Sequence, residues 1–207
     1  MDDFQTFLSI CVGIGLSAAC GFRVFVPLLC VSVAALTGHL HLDNTFAWVG
    51  TMPAAIAFAV ATVLEVAGYY IPFVDNLLDS IAVPAATAAG ILVAALAMTD
   101  VDPFWRWALA IIAGGGLATS TQLATTKVRA LSSATTAGIA NPFLASIEAV
   151  LSSVLSVVSV VWPILALVLV ILIVGTCWAL IYFFGKRLVG LFRRKPTAPV
   201  TVGSSHP

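Results

Sequence analysis

The chain alternates long apolar runs with short polar interruptions, and this pattern predicts a helical membrane protein. A helix that crosses the hydrocarbon core needs about 20 residues of low polarity. The last apolar run is long enough for two such helices, with either a turn or a kink at Trp162-Pro163. We therefore predict an all-α, polytopic fold with about six hydrophobic segments. The apolar runs cover residues 7–37, 46–70, 81–98, 104–121 and 143–184.

The first apolar run is long for one membrane span and short for two. Arg23 lies in its middle, and Gly13, Gly15, Gly21 and Pro27 are distributed along it. Glycine and proline favour interruptions in a helix, and irregular backbone at membrane depth is tolerated where protein or a water-filled cavity covers it. The alternatives for this run are one span or a broken, re-entrant hairpin.

Composition agrees with a membrane location. Hydrophobic residues make up 61% of the 207 residues and charged residues 9%, with a mean hydropathy of +1.11, whereas soluble domains carry roughly 25% charged residues. We predict a single helical membrane domain over residues 1–195, followed by a disordered tail rich in Pro, Ser and Thr at 196–207. Nine basic residues balance nine acidic ones, so nothing indicates a nucleic-acid partner.

The distribution of basic residues predicts the orientation. A cluster of Lys and Arg between Lys186 and Lys195 lies at the C-terminal end, and Lys127 and Arg129 lie in an earlier connection. Basic residues prefer the cytoplasmic side. If Trp162-Pro163 is a turn, both basic regions face the cytoplasm, and the loops that carry His39, Asp43, Asp100 and Asp102 face outward.

Three ionisable residues inside apolar runs are candidates for a functional site. Arg23, Glu65 and Glu148 each lie where a lipid-facing charge would cost a few kcal/mol. Arg23 is expected either to contact an anion or a carboxylate of a substrate, or to form a structural ion pair with Glu65 or Glu148. Both interpretations place it in the interior of the helix bundle.

A polar stripe extends from one of these residues. Glu148, Ser152, Ser156 and Ser159 recur at intervals of four, four and three residues, which places them on one helical face. We predict that this face turns away from lipid. It would either line a polar path together with Arg23, Glu65, Lys127 and Arg129, or provide hydrogen bonds between helices.

Asp75 and Asp79 are four residues apart and therefore share a helical face. They are a candidate cation or proton site, and the favoured alternative is a solvated helix face with Asp75 as N-cap. His39 and His41 lack further ligands nearby, so no metal site and no cofactor is predicted. The motifs of hydrolytic sites are absent, and we expect the protein not to be an enzyme.

A weak internal similarity relates two parts of the chain. Gly13-Ile14-Gly15-Leu16 precedes Arg23 and Glu65, and Gly114-Gly115-Gly116-Leu117 precedes Lys127, Arg129 and Glu148. Inverted-repeat transporters have such pairs of Gly-interrupted segments. The matching stretch is short, so chance similarity is the alternative.

Several short motifs resemble an uncharacterised bacterial integral-membrane family, the domain-of-unknown-function family 4126. They are the run from Gly15 to Leu29, Ile71-Pro72-Phe73-Val74-Asp75 with Asp79, Thr126-Lys127-Val128-Arg129, Asn141-Pro142 and Glu148. The resemblance implies a bacterial inner-membrane protein but no activity. The stretch from Ala67 to Tyr70 is less polar here than expected for relatives.

The residues favour a small permease or channel-like transporter that acts on an unidentified small solute or ion. The alternative is a non-transporting scaffold that binds lipid or partner proteins, with the same charges as interhelical pairs. The lipid bilayer is the expected partner in both cases, and a homo-oligomer is compatible with either.

Overall fold

A computed structural model of the protein describes residues 3–136 and 138–192, which contain helices and turns but no β-strand. The predicted all-α fold is confirmed. A 3₁₀ helix at Asn44–Gly50 follows α2, and a π-helical segment at Ala110–Gly115 joins α5 to α6. The α-helices are α1 Asp3–Cys20, α2 Phe25–Leu36, α3 Met52–Gly68, α4 Pro72–Ala97, α5 Pro103–Leu109, α6 Gly116–Thr136, α7 Asn141–Val161 and α8 Pro163–Phe192.

Within the residues that the structure describes, four helical stretches are long and apolar enough to cross a membrane: Asp3–Cys20, Leu77–Ala97, Pro103–Thr136 and Asn141–Val161. A fifth is obtained if the 3₁₀ helix and α3, which are bent by 61°, are taken as one span. The helices Phe25–Leu36 and Pro163–Ala179 are apolar but shorter. The predicted number of about six segments is therefore approximately right, and the protein is a helical membrane protein.

The first apolar run forms a helical hairpin. Gly15 of α1 lies against Ser159, and Ala19 accepts a hydrogen bond from Ser152, so α1 runs antiparallel to α7. After the break at residues 21–24, α2 runs back along α7 and ends beside Val161. With 12 residues, α2 is about 18 Å long at 1.5 Å per residue, too short to span the hydrocarbon core. The run is therefore a broken helical hairpin rather than one continuous helix.

The chain also reverses at Trp162-Pro163. The backbone of Trp162 leaves the helical region, with φ −134° and ψ 72°. Leu155 before this point and Val170 after it contact the same apolar cluster around Ala18. The junction is therefore a turn, because proline ends α7 and begins α8.

The two Gly-rich segments do not break their helices. Gly13 lies inside regular α1 and faces Ala94 of α4, and Gly114 lies in the π-helical segment and faces Gly90 and Ala94. These glycines allow close approach of helix backbones, which is their usual role in membrane proteins. Both α1 and the α5–α6 helix run antiparallel to α4, so the two segments lack the opposite directions that an inverted repeat requires.

One end of the bundle holds the end of α1, the start of α2, the end of α3, the start of α4, the end of α6 and the start of α7. The Nε1 of Trp178 in α8 donates to Ser120 of α6 over 2.9 Å, and Lys127 lies over the Trp178 ring. Lys127 and Lys186 therefore lie toward the same end, as the orientation argument requires, while Asp43 lies at the opposite end. Residues 193–207, which include Arg193, Arg194, Lys195 and the predicted tail, lie outside the described residues.

Candidate functional site

Six charged side chains from five elements meet near this end of the bundle, about two helical turns inside it. One side chain comes from the break between α1 and α2, and one comes from the last turn of α3. The first turns of α4 supply two side chains, and α6 and the second turn of α7 supply one each. We call this group the charged cluster. It consists of Arg23, Glu65, Asp75, Asp79, Arg129 and Glu148.

Arg129 is the centre of the charged cluster. Its Nε donates to Glu148 Oε1 over 3.0 Å, and its Nη2 donates to Glu148 Oε2. Its Nη1 donates to Asp75 Oδ1 over 2.8 Å and lies 3.5 Å from Asp79 Oδ1. The two bonds to Glu148 have the bidentate geometry that a guanidinium forms with a carboxylate. Arg129 is 3% exposed, so one buried cation holds three carboxylates from two other helices.

Arg23 lies at the tip of the α1–α2 hairpin and is 1% exposed. Its Nη2 donates to the carbonyl oxygen of Ala145 over 2.8 Å and lies 3.4 Å from Glu148 Oε2. Its Nε and Nη1 are buried and have no hydrogen-bond partner in the part of the chain that the structure describes. Arg23 is thus paired with Glu148, one of the two carboxylates predicted for it, and keeps unused donor groups.

Tyr69 forms an aromatic platform for both guanidinium groups. The Cζ of Arg23 lies 3.9 Å from the centroid of its ring and the Cζ of Arg129 lies 4.1 Å away. Burial raises the pKa of Tyr69 to about 12, although the two arginines act in the opposite direction. A neutral phenol ring therefore provides a cation–π contact, which is strongest where water is excluded.

Glu65 contacts the start of α2, while Arg23 pairs with Glu148. Its Oε1 accepts the backbone N–H of Val24 over 2.8 Å and its Oε2 accepts that of Phe25 over 3.1 Å. These N–H groups have no partner within the first turn of α2, and a negative charge there is favourable to the helix dipole. Glu65 of α3 therefore fixes the hairpin by capping α2 from outside.

Asp75 and Asp79 share a face of α4, as the spacing predicts, but the favoured interpretation of that face is wrong. Ile71, not Asp75, is the N-cap of α4. Asp75 is 5% exposed and accepts from Arg129 and from Nδ2 of Asn141, the latter over 3.2 Å. Asp79 Oδ1 is buried, lies 3.5 Å from Arg129 Nη1 and has no hydrogen-bond partner among the described residues.

Lys127 does not join the charged cluster. It is exposed, and its Nζ lies 4.7 Å from the centroid of the Trp178 ring. Residues two apart on a helix point in different directions, so the burial of Arg129 turns Lys127 outward. Of the two cations predicted to lie together, Arg129 is in the charged cluster and Lys127 lies outside it.

The polar stripe on α7 is buried against α1. Ser152, Ser156 and Ser159 are each 0% exposed. Ser152 donates to Ala19 over 3.0 Å, whereas the other two hydroxyls donate to carbonyls of their own helix, Ser152 and Leu155. The stripe therefore faces the bundle interior, where Ser152 joins α7 to α1 and the other two hydroxyls bond within α7.

Two features of the charged residues were missed by the sequence reasoning. In the sequence, Tyr69 is only part of a stretch that is less polar than expected for relatives. The signal that could have identified it is an aromatic residue close to the embedded Glu65 in a chain with two embedded arginines. Arg106, which the sequence analysis does not single out, is buried; it donates to Ala95 over 2.6 Å and pairs with Asp43 at the opposite end of the bundle.

No group of three or more His, Cys, Asp or Glu residues arranged for a metal ion occurs in the described part of the chain. Neither a search of curated proteins nor a search of solved structures found a match. A family model matches residues 10–182, which include the whole charged cluster. The chain therefore belongs to the family described as a domain of unknown function, DUF4126.

Proposed function

We propose that the protein is a non-enzymatic permease or channel-like transporter of the bacterial inner membrane, in which the charged cluster binds a proton or a small cation. The observation that carries this proposal is the charge balance of the cluster. Two guanidinium groups face four carboxylates, a formal charge of −2 when all are ionised. A buried excess of negative charge is costly unless a positive partner is available.

The position of the charged cluster supports the same function. It lies where α1 ends and the short helix α2 begins. Transporters place coupling-ion and substrate sites at such interrupted helices, because free backbone groups and helix ends are exposed there. The two ends of the break are already used: Glu65 accepts from α2, and Arg23 projects toward Glu148.

The orientation in the proposal follows from the basic residues. Lys127, Arg129 and Lys186 lie toward the end that contains the charged cluster. The positive-inside rule assigns this end to the cytoplasm. The charged cluster would then be on the cytoplasmic side, and the ion pair between Arg106 and Asp43 would be on the outer side.

The second candidate is a non-transporting scaffold that binds lipid or partner proteins. One observation favours it: the hydroxyls of Ser152, Ser156 and Ser159 bond to helix backbone, and Gly15 packs directly on Ser159. This part of the α1–α7 interface is dry and close-packed. A transporter would therefore have to open along another face.

Ion flux in proteoliposomes tests the proposal. The purified protein is reconstituted with a pH-sensitive dye inside, and proton, Na⁺ and K⁺ gradients are applied in turn. Asp79→Asn removes a charge whose buried oxygen has no hydrogen-bond partner, so the fold should be retained. We expect its flux to fall at least about tenfold, the effect of losing roughly 1.4 kcal/mol of binding.

Asp100→Asn is the matched control, because Asp100 is exposed in the loop between α4 and α5. It should keep the flux of the unchanged protein. Rates equal to those of empty liposomes for all three ions would reject transport of these ions and favour the scaffold. Equal flux in the Asp79 and Asp100 variants would remove the charged cluster from the transport site.

A further inference from the structure

A groove opens sideways between α3 and α4, next to the charged cluster. Its volume is about 450 Å³, within the range of roughly 300–1,000 Å³ that is usual for small-molecule sites. The start of α2 and one residue of α6 close it on the inner side. In a membrane, this opening faces the acyl chains rather than water.

The rim and the floor of the groove differ in polarity. Leu64 and Ile81 at the rim are 66% and 53% exposed, and Leu78 lies between them and the floor. Glu65, Tyr69 and Gln122 form the floor and are all buried. The groove thus offers an apolar wall to a hydrocarbon body and polar atoms to a head group.

The charge of the floor selects the head group. Glu65 is the charged residue among the lining residues, and its two oxygens each accept one backbone N–H. A carboxylate has about four lone-pair directions, so further donors can bind. Glu65 is one of the four carboxylates of the charged cluster, which contains two guanidinium groups. A protonated amine satisfies both features, because it brings a positive charge and N–H donors.

We infer that the α3/α4 groove binds a lipophilic primary amine, one apolar chain with a protonated amino group, which enters from the lipid and places its amine at Glu65. This inference rests on the proposed function, since it names the class of cation that the charged cluster would receive.

The occupant is a free single-chain amine rather than an aminophospholipid of the bilayer. The phosphate of such a lipid would lie close to the Glu65 carboxylate, and two negative groups at short distance repel each other. The groove volume of about 450 Å³ also suits a single chain better than two chains with a phosphate group.

Photolabelling in nanodiscs tests this inference without any ion gradient. The probe is dodecylamine with a diazirine near the end of its chain, and the nanodiscs contain phosphatidylcholine and phosphatidylglycerol. After irradiation, labelled peptides are identified by mass spectrometry. We expect labels on α3 and α4 within residues 61–85, and we expect unlabelled dodecylamine to compete at least about tenfold better than dodecanol or dodecanoate.

Two variants and one control locate the site. Glu65→Gln should reduce labelling at least about tenfold, because an amide has no charge for the amine. Ala85→Phe fills the groove without touching Glu65, and should reduce labelling even if the Gln variant folds poorly. Ala88→Phe adds the same ring at an exposed position of α4 outside the groove lining and should leave labelling unchanged.

Equal competition by dodecanol, undiminished labelling of Ala85→Phe, or displacement of the probe by phosphatidylethanolamine would each overturn the inference. The test is also separable from that of transport. Labelling without ion flux would keep the amine site and reject the transport function. Proton flux without labelling would keep the function and reject the amine.

Discussion

Removing Arg129 should be the most damaging single change in the charged cluster. Arg129→Leu deletes the two hydrogen bonds to Glu148 and the one to Asp75 and leaves these buried carboxylates without their main counter-ion. Breaking a buried ion pair by removing one partner costs about 3–5 kcal/mol. Each of the three bonds is charge-assisted and contributes about 1.5–3 kcal/mol. We therefore expect Arg129→Leu to lower the free energy of unfolding by an amount near the upper end of the 3–5 kcal/mol range.

The free energy of unfolding should be measured in mixed micelles by denaturant titration, with the helical circular dichroism signal as readout. Lys127→Leu is the matched control, because it also removes a cation from α6. The Lys127 side chain is exposed, and its ammonium group lies over the Trp178 ring. The cost of Lys127→Leu should be about 1 kcal/mol or less. Arg23→Leu should be intermediate, since Arg23 makes one hydrogen bond and a longer ion pair.

A double variant checks that the loss arises from the pairing. Replacing Glu148 by Leu in the Arg129→Leu background removes one of the abandoned carboxylates, and part of the stability should return. A loss below about 1 kcal/mol for Arg129→Leu would mean that water already solvates the cluster, and the reasoning from burial would be refuted.

Other consequences of the structure can be tested independently. Gly15→Ala places a methyl group against Ser159 and should lower stability by about 1–3 kcal/mol through overpacking, whereas Gly116→Ala, with nothing within 4 Å, should not lower it. The pKa of about 12 for Tyr69 exceeds the usual value of about 10, so stability should hold below pH 10 and fall as the pH rises to about 12; Tyr69→Phe should reduce this alkaline loss. Reporter fusions in the connection after α6 and after Lys195 should give the same cytoplasmic signal, and a fusion near Asp43 the opposite one; different signals from the first two would refute the orientation.

Local signals in the sequence located several helix boundaries. Asp102-Pro103 has the residue types that are typical of a helix start, and the Asp102 side chain accepts the N–H of Phe104 over 3.0 Å at the beginning of α5. Asn141-Pro142 likewise begins α7. Caps and proline act within one turn of the chain, so they can be read without tertiary information. The spacing of the polar residues on α7 likewise predicted that they share one helical face, because helical periodicity is also a local property of the chain.

The composition of the charged cluster could not be read in this way. Arg129 and Asp75 are 54 residues apart, and Arg23 and Ala145 are 122 apart. Which helices become neighbours depends on packing of small residues, such as Gly90 against Gly114, and these are too common in the chain to predict a pairing. The exclusion of Lys127, by contrast, follows from its phase relative to Arg129 and was within reach.

The four carboxylates of the cluster differ in how their charge is met, and this difference identifies the residue on which the proposed function depends. Glu148 is held by Arg129 and Arg23, Asp75 by Arg129 and Asn141, and Glu65 by the first N–H groups of α2.

Asp79 is the remaining carboxylate. Its buried oxygen lies 3.5 Å from Arg129 without a hydrogen bond. A scaffold that used the cluster only to join helices would gain little from this fourth carboxylate, because Arg129 already bonds to Glu148 and Asp75. A site that takes up and releases a proton or a cation needs a carboxylate that is held less tightly, and Asp79, whose side chain is 23% exposed, is such a group. Loss of flux in Asp79→Asn with retained stability would therefore separate the two functions more sharply than any change at Arg129, which both functions require.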